Sequence, residues 1–198
     1  MACNENNNHG VSEARQVSSP NCNPRPAASD ISLIVVHGIS LPPRQFGGDW
    51  IDDLFCNRLA GDAHPYFADI CQLQVSSHFL IRRDGELVQY VPCDQRAWHA
   101  GQSRWQGKEN CNDFSIGIEL EGDDHIPYED AQYRRLAELI MLLRKRYPGI
   151  GDDAVVGHEH IAPGRKTDPG PAFDWYYLRQ CLNQAAGTDF ATLAGETA

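Results

Sequence analysis

The sequence predicts an α+β fold in which helices cover one face of a sheet and the other face forms a groove. Strand and helix patterns alternate along the chain without a regular βαβ repeat. Residues 114–121 alternate strictly, with Ile116, Ile118 and Leu120 on one face and mainly polar residues on the other. Residues 129–147 carry apolar side chains at helical spacing and end before a Pro-Gly pair, which predicts the longest helix.

Four further strands are expected from apolar and β-branched runs. Residues 31–37 are apolar on both alternating faces, which is typical of a short buried strand, and this one ends at a histidine. Residues 75–82 and 86–91 are joined by Asp84-Gly85, a strong hairpin signal, so they are expected to pair with each other. Residues 154–157 form another short strand candidate.

The helix signals and the irregular ends divide the chain into one folded domain and two flanks. Apolar spacing predicts a short helix over 50–59, and Asp174 is the expected N-cap of the last helix. Residues 1–28 are rich in Asn, Ser and Pro and are expected to form an irregular arm. The domain is then expected over 29–185, followed by a frayed tail over 186–198.

Composition and charge exclude several classes of function. The formal net charge is −10 over 198 residues, which argues against a nucleic-acid partner, because phosphate binding needs a basic face. Apolar runs fall far short of the roughly 20 residues that a membrane span needs, so no membrane partner is expected. The first ten residues lack the pattern of a secretory signal, which predicts a cytoplasmic protein, and the seven scattered cysteines are expected to remain thiols.

The densest set of chemically active residues lies in the turn-rich segment 157–171. Zinc binds imidazole and carboxylate ligands, and a catalytic site uses three protein ligands with a position left for water. His37, His158 and Asp168 would supply such a set, with His160 as a rival for His158. Spacing alone does not separate this hypothesis from the alternative that these are ordinary core or surface histidines and a turn-capping aspartate.

Other residues could take part in chemistry beside such a metal. Lys166 lies two positions before Asp168, where its ammonium could face an oxyanion, although a solvated charge is the commoner role. Glu119 is on the polar face of its predicted strand and could move a proton if that face were the groove floor. Trp98 and His99 follow the hairpin, and an aromatic ring there could stack on a sugar or could be an ordinary half-buried core residue.

Six motifs follow one another along the chain. They are residues 35–43 (VVHGISLPP), 46–48 (FGG), 82–85 (RRDG), 96–101 (RAWHAG), 111–122 (CNDFSIGIELEG) and 165–171 (RKTDPGP). Together these motifs resemble the AmpD family of cytoplasmic 1,6-anhydro-N-acetylmuramyl-L-alanine amidases, which act in cell-wall recycling. The resemblance covers about residues 10–182.

The resemblance implies a fold, a cofactor and residue roles. The implied fold has a mixed, largely antiparallel sheet with helices mainly on one face. His37, His158 and Asp168 would bind one Zn²⁺ per chain, Glu119 would be the general acid and base, and Lys166 would stabilise the oxyanion. The substrate would be an anhydromuramyl-peptide or its GlcNAc-linked form, cleaved at the lactyl amide before L-Ala by a monomeric enzyme. Expected substrate contacts are Trp98, His99, Asn112, Ala162 and Arg165.

Two other functions agree with the same motifs. One is a broader N-acetylmuramyl-L-alanine amidase that acts on intact peptidoglycan, and the other is a module that binds muropeptides without cleaving them. The five predicted active-site residues argue against the binding module.

The chain also departs from the family, with Gly38 where Asn is usual and His160 where Asp is common. Gln74 and Asn110 stand where relatives can carry Arg, so weaker binding of an acidic stem peptide is expected.

Overall fold

The computed structural model describes residues 11–26 and 29–186. The described strands are β1 (Arg15–Gln16), β2 (Cys22–Pro24), β3 (Leu33–Ile39), β4 (Phe79–Ile81), β5 (Leu87–Gln89), β6 (Gln95–Ala97), β7 (Arg104–Trp105), β8 (Lys108–Glu109), β9 (Ser115–Glu121) and β10 (Val155–Gly157). The described α-helices are α1 (Trp50–Phe55), α2 (Asp130–Arg146), α3 (His158–Ile161) and α4 (Trp175–Ala186). Within these ranges, every helix is too short or too polar to cross a bilayer.

The central sheet has six strands in the order β1-β5-β4-β9-β3-β10. It is mixed, as expected, but the expectation of a largely antiparallel sheet is wrong. Only β4 and β5 pair antiparallel, and the other four pairings are parallel. The connections between strands explain this difference. A tight turn joins β4 to β5, so these two strands run antiparallel. Long segments separate β3, β4, β9 and β10, and each segment crosses over so that the next strand runs in the same direction.

One face of the sheet is covered by α2 and α4. The core beneath these helices joins alternate residues of three strands, such as Ile34, Phe79 and Ile118, to Leu136 and Ile140 of α2. Both predicted helices and the predicted apolar face of β9 are therefore confirmed. Asp174 caps α4 as expected, since its carboxylate accepts a hydrogen bond from the Tyr177 backbone N–H at 2.9 Å.

The opposite face carries the short helices, the loops and the polar side chains. Leu80 and Val88 pack against α1, and Leu33 and Val35 pack near α3. Between these two apolar clusters the face is polar. The parallel register of β3 and β9 pairs His37 with Glu119 in this region, so the sheet itself fixes two predicted site residues as neighbours.

The amino-terminal segment differs from the irregular arm expected over residues 1–28. Among its described residues, β1 extends the main sheet beside β5, and β2 pairs antiparallel with β6. The Arg25 guanidinium then donates hydrogen bonds to the backbone carbonyls of Cys93, Asn112, Asp113 and Ser115. Strands of two or three residues are too short to show periodicity, which explains why the sequence pattern did not predict them.

Two smaller differences concern α1 and the cysteines. The helix predicted over 50–59 ends at Phe55. Cys22 is disulfide-bonded, so the expectation of thiols throughout is wrong there. The other described cysteines are free thiols, namely Cys56, Cys71, Cys93, Cys111 and Cys181.

The predicted Asp84-Gly85 hairpin is confirmed, with Gly85 at φ +87°, a conformation that favours glycine.

Candidate metal centre and active site

Three ligand candidates from distant parts of the sequence meet on the polar face of the sheet. His37 lies near the end of β3, and His158 is the first residue of α3. Because β10 pairs with β3 in parallel, with Gly157 opposite Val36, the chain delivers His158 directly beside His37. Asp168 follows in the next loop, where its backbone carbonyl accepts a hydrogen bond from the Glu159 N–H.

The three side chains form a nearly equilateral triangle of ligand atoms. His37 Nδ1 lies 3.0 Å from His158 Nδ1, and both nitrogens lie 3.1 Å from the same oxygen, Asp168 Oδ2. Ligand atoms held about 2.0 Å from a tetrahedral metal stand about 3.3 Å apart. The triangle is therefore close to the size that a zinc ion would require.

Hydrogen bonding identifies His158 Nδ1 as an electron-pair donor. His158 Nε2 lies 3.1 Å from the Ala100 carbonyl oxygen, which can only accept, so Nε2 carries the proton of the neutral ring. The rival residue His160 points elsewhere. Its Nδ1 accepts a hydrogen bond from the Gly157 N–H at 2.9 Å, and its ring packs on Trp175. The structure thus brings His158, and not His160, to His37 and Asp168.

Burial and mutual contact set the protonation of the triangle. Burial lowers the pKa of His37 to about 4, because its contact with Asp168 only partly offsets the loss of water. Burial would raise the pKa of Asp168, but its contacts with His158 and His37 bring that pKa below its usual range. An unprotonated imidazole and an ionised carboxylate are the forms that bind a metal ion. The donor set therefore fits zinc at neutral pH.

Glu119 lies next to this triangle, and its carboxyl group is not fully hydrogen-bonded. Its side chain is 8% exposed, and among the described residues its Oε2 atom has no hydrogen-bond partner. Burial and the nearby Asp168 charge raise its pKa well above the ordinary value, while Lys166 acts in the opposite direction. A buried carboxyl oxygen without a partner is costly, which points to a functional role for this side chain.

Lys166 is the exposed basic residue on the rim of the same cavity. Its backbone N–H donates to the carbonyl of Ala162, so the turn that follows α3 holds the loop in place. The backbone at Lys166 is therefore fixed, and its long side chain can extend over the cavity.

A cavity of about 360 Å³ opens on the site. The triangle, Glu119 and Lys166 line its polar end, and Trp98 lines its wall. An apolar rim that includes Tyr66 and Leu73 lies on the same cavity, and these two side chains are 40% and 48% exposed. Sequence patterns did not mark this rim, because Tyr66 lies in a five-residue 3₁₀ helix and Leu73 in a loop, and both segments are too short to carry a periodic signal. The cavity can accept a ligand with both polar and apolar parts.

The five expected substrate contacts fall into two groups. Trp98 and His99 line the cavity, whereas Asn112, Ala162 and Arg165 are not among its lining residues. Instead, Asn112 Oδ1 accepts hydrogen bonds from the backbone N–H groups of His99 and Ala100, at 3.1 and 2.8 Å. Arg165 donates to the carbonyl of Ala100, and the carbonyl of Ala162 holds the Lys166 loop. In this geometry, these three residues brace the site from outside.

Tyr128 is a contact that the sequence did not indicate. Its hydroxyl donates to the Pro169 carbonyl, adjacent to Asp168, at 3.0 Å. A Cβ atom at Gly38 would clash with the same hydroxyl, so with Tyr128 in this position there is room for a glycine but not for a larger residue.

The profile of one protein family, described as N-acetylmuramoyl-L-alanine amidase, matches residues 27–171. A relative with 62% identity over 167 residues is the 1,6-anhydro-N-acetylmuramyl-L-alanine amidase AmpD of Salmonella typhimurium, with 84% of this chain and 89% of the relative aligned.

Solved structures agree with the sequence matches. A crystal structure of an AmpD derivative is 57% identical, has a TM-score of 0.86, and covers 89% of this chain and 98% of its own. A second structure is the complex of the N-acetylmuramyl-L-alanine amidase AmiD from Escherichia coli with the substrate anhydro-N-acetylmuramic acid-L-Ala-D-γ-Glu-L-Lys. AmiD is 34% identical to this chain, with a TM-score of 0.56. The match covers 79% of this chain and 60% of AmiD. The chain therefore belongs to the N-acetylmuramoyl-L-alanine amidase family, and within it to the AmpD group.

Proposed function

We propose that this protein is a zinc-dependent amidase that cleaves the lactyl amide bond between anhydro-N-acetylmuramic acid and the L-Ala of a stem peptide. The observation that carries the proposal is the triangle of His37, His158 and Asp168 beside the unpartnered carboxyl oxygen of Glu119. One zinc ion per chain would be held by these three ligands. The AmpD and AmiD relatives, the latter solved with an anhydromuramyl peptide, support the substrate class.

The residues around the triangle divide the chemistry of amide hydrolysis among them. When bound, zinc supplies Lewis acidity, which polarises a carbonyl oxygen and lowers the pKa of a water molecule to about 7. The Glu119 carboxylate takes the proton of the attacking water and then delivers it to the leaving nitrogen. Burial raises the pKa of Glu119, which makes its carboxylate a better proton acceptor than an exposed glutamate.

Lys166 and Trp98 complete the proposed site. The Lys166 ammonium stabilises the negative charge that develops on the carbonyl oxygen during attack. The Trp98 side chain, half-buried on the cavity wall and fixed by a hydrogen bond from its Nε1 to Asn23 Oδ1, offers an aromatic surface for the sugar ring. We place the enzyme in the cytoplasm as a monomer acting on free anhydromuropeptides during wall recycling.

The experiment that tests this function compares two substrates. Purified protein is incubated with 1,6-anhydromuramyl-tripeptide and, separately, with the non-anhydro muramyl-tripeptide, each with and without a zinc chelator, and the products are followed by mass spectrometry. Chelator-sensitive release of tripeptide from the anhydro form alone is expected. Equal cleavage of both forms would favour a general wall amidase, and absence of cleavage by the zinc-loaded protein would favour a binding module.

A further inference from the structure

A buried polar chain lies behind the metal triangle, on the side of His37 away from Asp168. His37 Nε2 lies 2.9 Å from His99 Nδ1, and His99 Nε2 lies 3.1 Å from Ser115 Oγ. Ser115 Oγ in turn lies 2.5 Å from the carbonyl oxygen of Cys111. All three side chains are buried, at 2%, 9% and 0% exposure.

The direction of every hydrogen bond in this chain follows from its last member. A carbonyl oxygen can only accept, so the single hydroxyl proton of Ser115 points to Cys111. Ser115 Oγ is then the acceptor for the proton on His99 Nε2, which leaves His99 Nδ1 unprotonated in the neutral ring. His99 Nδ1 must therefore accept the proton on His37 Nε2. As a result, His37 Nδ1 is free of a proton where it faces the metal triangle.

The surroundings keep the His99 ring in this position. The two hydrogen bonds to Asn112 Oδ1 fix the backbone at His99 and Ala100. A Cβ atom at Gly117 would fall within 2.5–2.8 Å of the ring, so the ring packs directly on the bare backbone of β9. The same short segment serves both metal histidines: the His99 side chain contacts His37, and the Ala100 carbonyl contacts His158.

We propose that Ser115 and His99 are positioning residues that hold His37 in the tautomer that offers Nδ1 to the metal. Hydrogen-bond partners outside the ligand set orient ligating imidazoles and fix their tautomers. In this protein, the order Cys111 carbonyl, Ser115 hydroxyl, His99 ring and His37 ring leaves only one arrangement of protons.

The hydrogen-bonded series of the Cys111 carbonyl, Ser115, His99 and His37 is called the relay below. The test uses variants that break or preserve this relay. His99→Leu removes the acceptor for His37, and we expect zinc affinity, measured by competition with a chelator, to fall about 10- to 100-fold. His99→Asn retains an oxygen near the position of Nδ1 and should recover part of this loss. Ser115→Ala removes only a hydroxyl, so it should fold normally and show a smaller loss in the same direction.

The matched control is Ser77→Ala. Ser77 is as buried as Ser115, but among the described residues its hydroxyl has no hydrogen-bond partner. The control should leave zinc affinity unchanged. If His99→Leu fails to fold, Ser115→Ala against Ser77→Ala still decides the question.

A second readout separates this inference from the proposed function on which it rests. The ¹⁵N chemical shifts of the His37 ring in the metal-free protein report its tautomer. We expect a single Nε2–H form in the wild type and a mixture in Ser115→Ala. A wild-type protein that shows this form but binds no zinc would overturn the proposed function and leave the relay intact. Unchanged zinc affinity and an unchanged His37 tautomer in folded Ser115→Ala would overturn the relay.

Discussion

Glu119 and Glu121 differ in environment although they lie two residues apart on the same face of β9. The Glu121 carboxylate accepts hydrogen bonds from the backbone N–H groups of Gly47 and Arg83 and is therefore a structural brace. Glu119 has one oxygen without a partner and lines the cavity. The alternation of the strand predicts the shared face of both residues, and only the tertiary contacts separate their roles.

Replacing Glu119 with Gln should abolish most turnover while zinc stays bound. Gln has the same shape but cannot accept the proton of the attacking water, and removal of a general acid–base group costs about 10²- to 10⁴-fold in rate. Steady-state kinetics with anhydromuramyl-tripeptide, together with the zinc content of the purified variant, provide the measurement.

Glu121→Gln is the control for this variant. It removes a carboxylate from the same strand face, so we expect lower stability with turnover per folded molecule retained. Wild-type turnover in Glu119→Gln would exclude Glu119 from the chemistry, and loss of zinc in that variant would mean that Glu119 helps to hold the metal.

At the scale of secondary-structure elements, Arg25 adds a set of side-chain hydrogen bonds to the strand pairings that hold the amino-terminal segment on the core. Arg25 donates to four backbone carbonyls from two separate loops and from β9. Arg25→Ala would leave these acceptors without a charged donor, and we expect the free energy of unfolding to fall by about 3 kcal/mol or more. Urea denaturation followed by circular dichroism measures the change.

The matched control is Arg135→Ala. Arg135 also reaches the amino-terminal segment, through an ion pair with Glu13, but this pair is partly exposed and is expected to contribute less than about 1 kcal/mol. Equal destabilisation by the two variants would contradict the structural role assigned to Arg25.

Local patterns predicted most of the elements and little of their arrangement. The strand at 31–37, the Asp84-Gly85 hairpin, α2 and the Asp174 cap all follow from spacing and turn chemistry within a few residues. The parallel pairing of β3 with β9 does not, because it depends on long crossover connections. The strands β1 and β2 were missed for a related reason: pairing with β5 and β6, and not their own composition, makes them strands.

The candidate site shows the same division. Residue types and spacing left His158 and His160 as equal candidates, and the family resemblance favoured His158. The choice depends on where α3 begins, since its first residue faces His37 and its third residue hydrogen-bonds back to Gly157. The bracing contacts of Asn112 and Arg165 could not be predicted either, because their acceptors and donors are backbone groups.

At the scale of the whole molecule, the proposed site reduces the stability of the metal-free fold. Glu119 is buried with a pKa well above its ordinary value of 4.5, so the folded state keeps a proton that the unfolded chain releases. The contribution of Glu119 to the free energy of unfolding should therefore fall as the pH rises from about 4.5 through the folded-state pKa of this group, by up to about 1.4 kcal/mol per pH unit.

The variant Glu119→Gln isolates this contribution, because Gln does not titrate. In metal-free protein, the difference in unfolding free energy between Glu119→Gln and the wild type should grow in favour of the variant as the pH rises, and should be small near pH 4. Urea denaturation at several pH values gives the difference. A difference independent of pH would mean that Glu119 ionises in the folded protein as it does in the unfolded chain.

The most direct test of the account is the turnover of anhydromuramyl-tripeptide by metal-free protein as zinc is added in known amounts. If His37, His158 and Asp168 hold the one catalytic ion, activity should rise in proportion to added zinc and reach its plateau at one equivalent per chain. The Asp168→Ala variant should gain no activity over the same range. Full turnover without zinc, or no turnover with one equivalent bound, would show that these three residues do not hold a catalytic zinc ion.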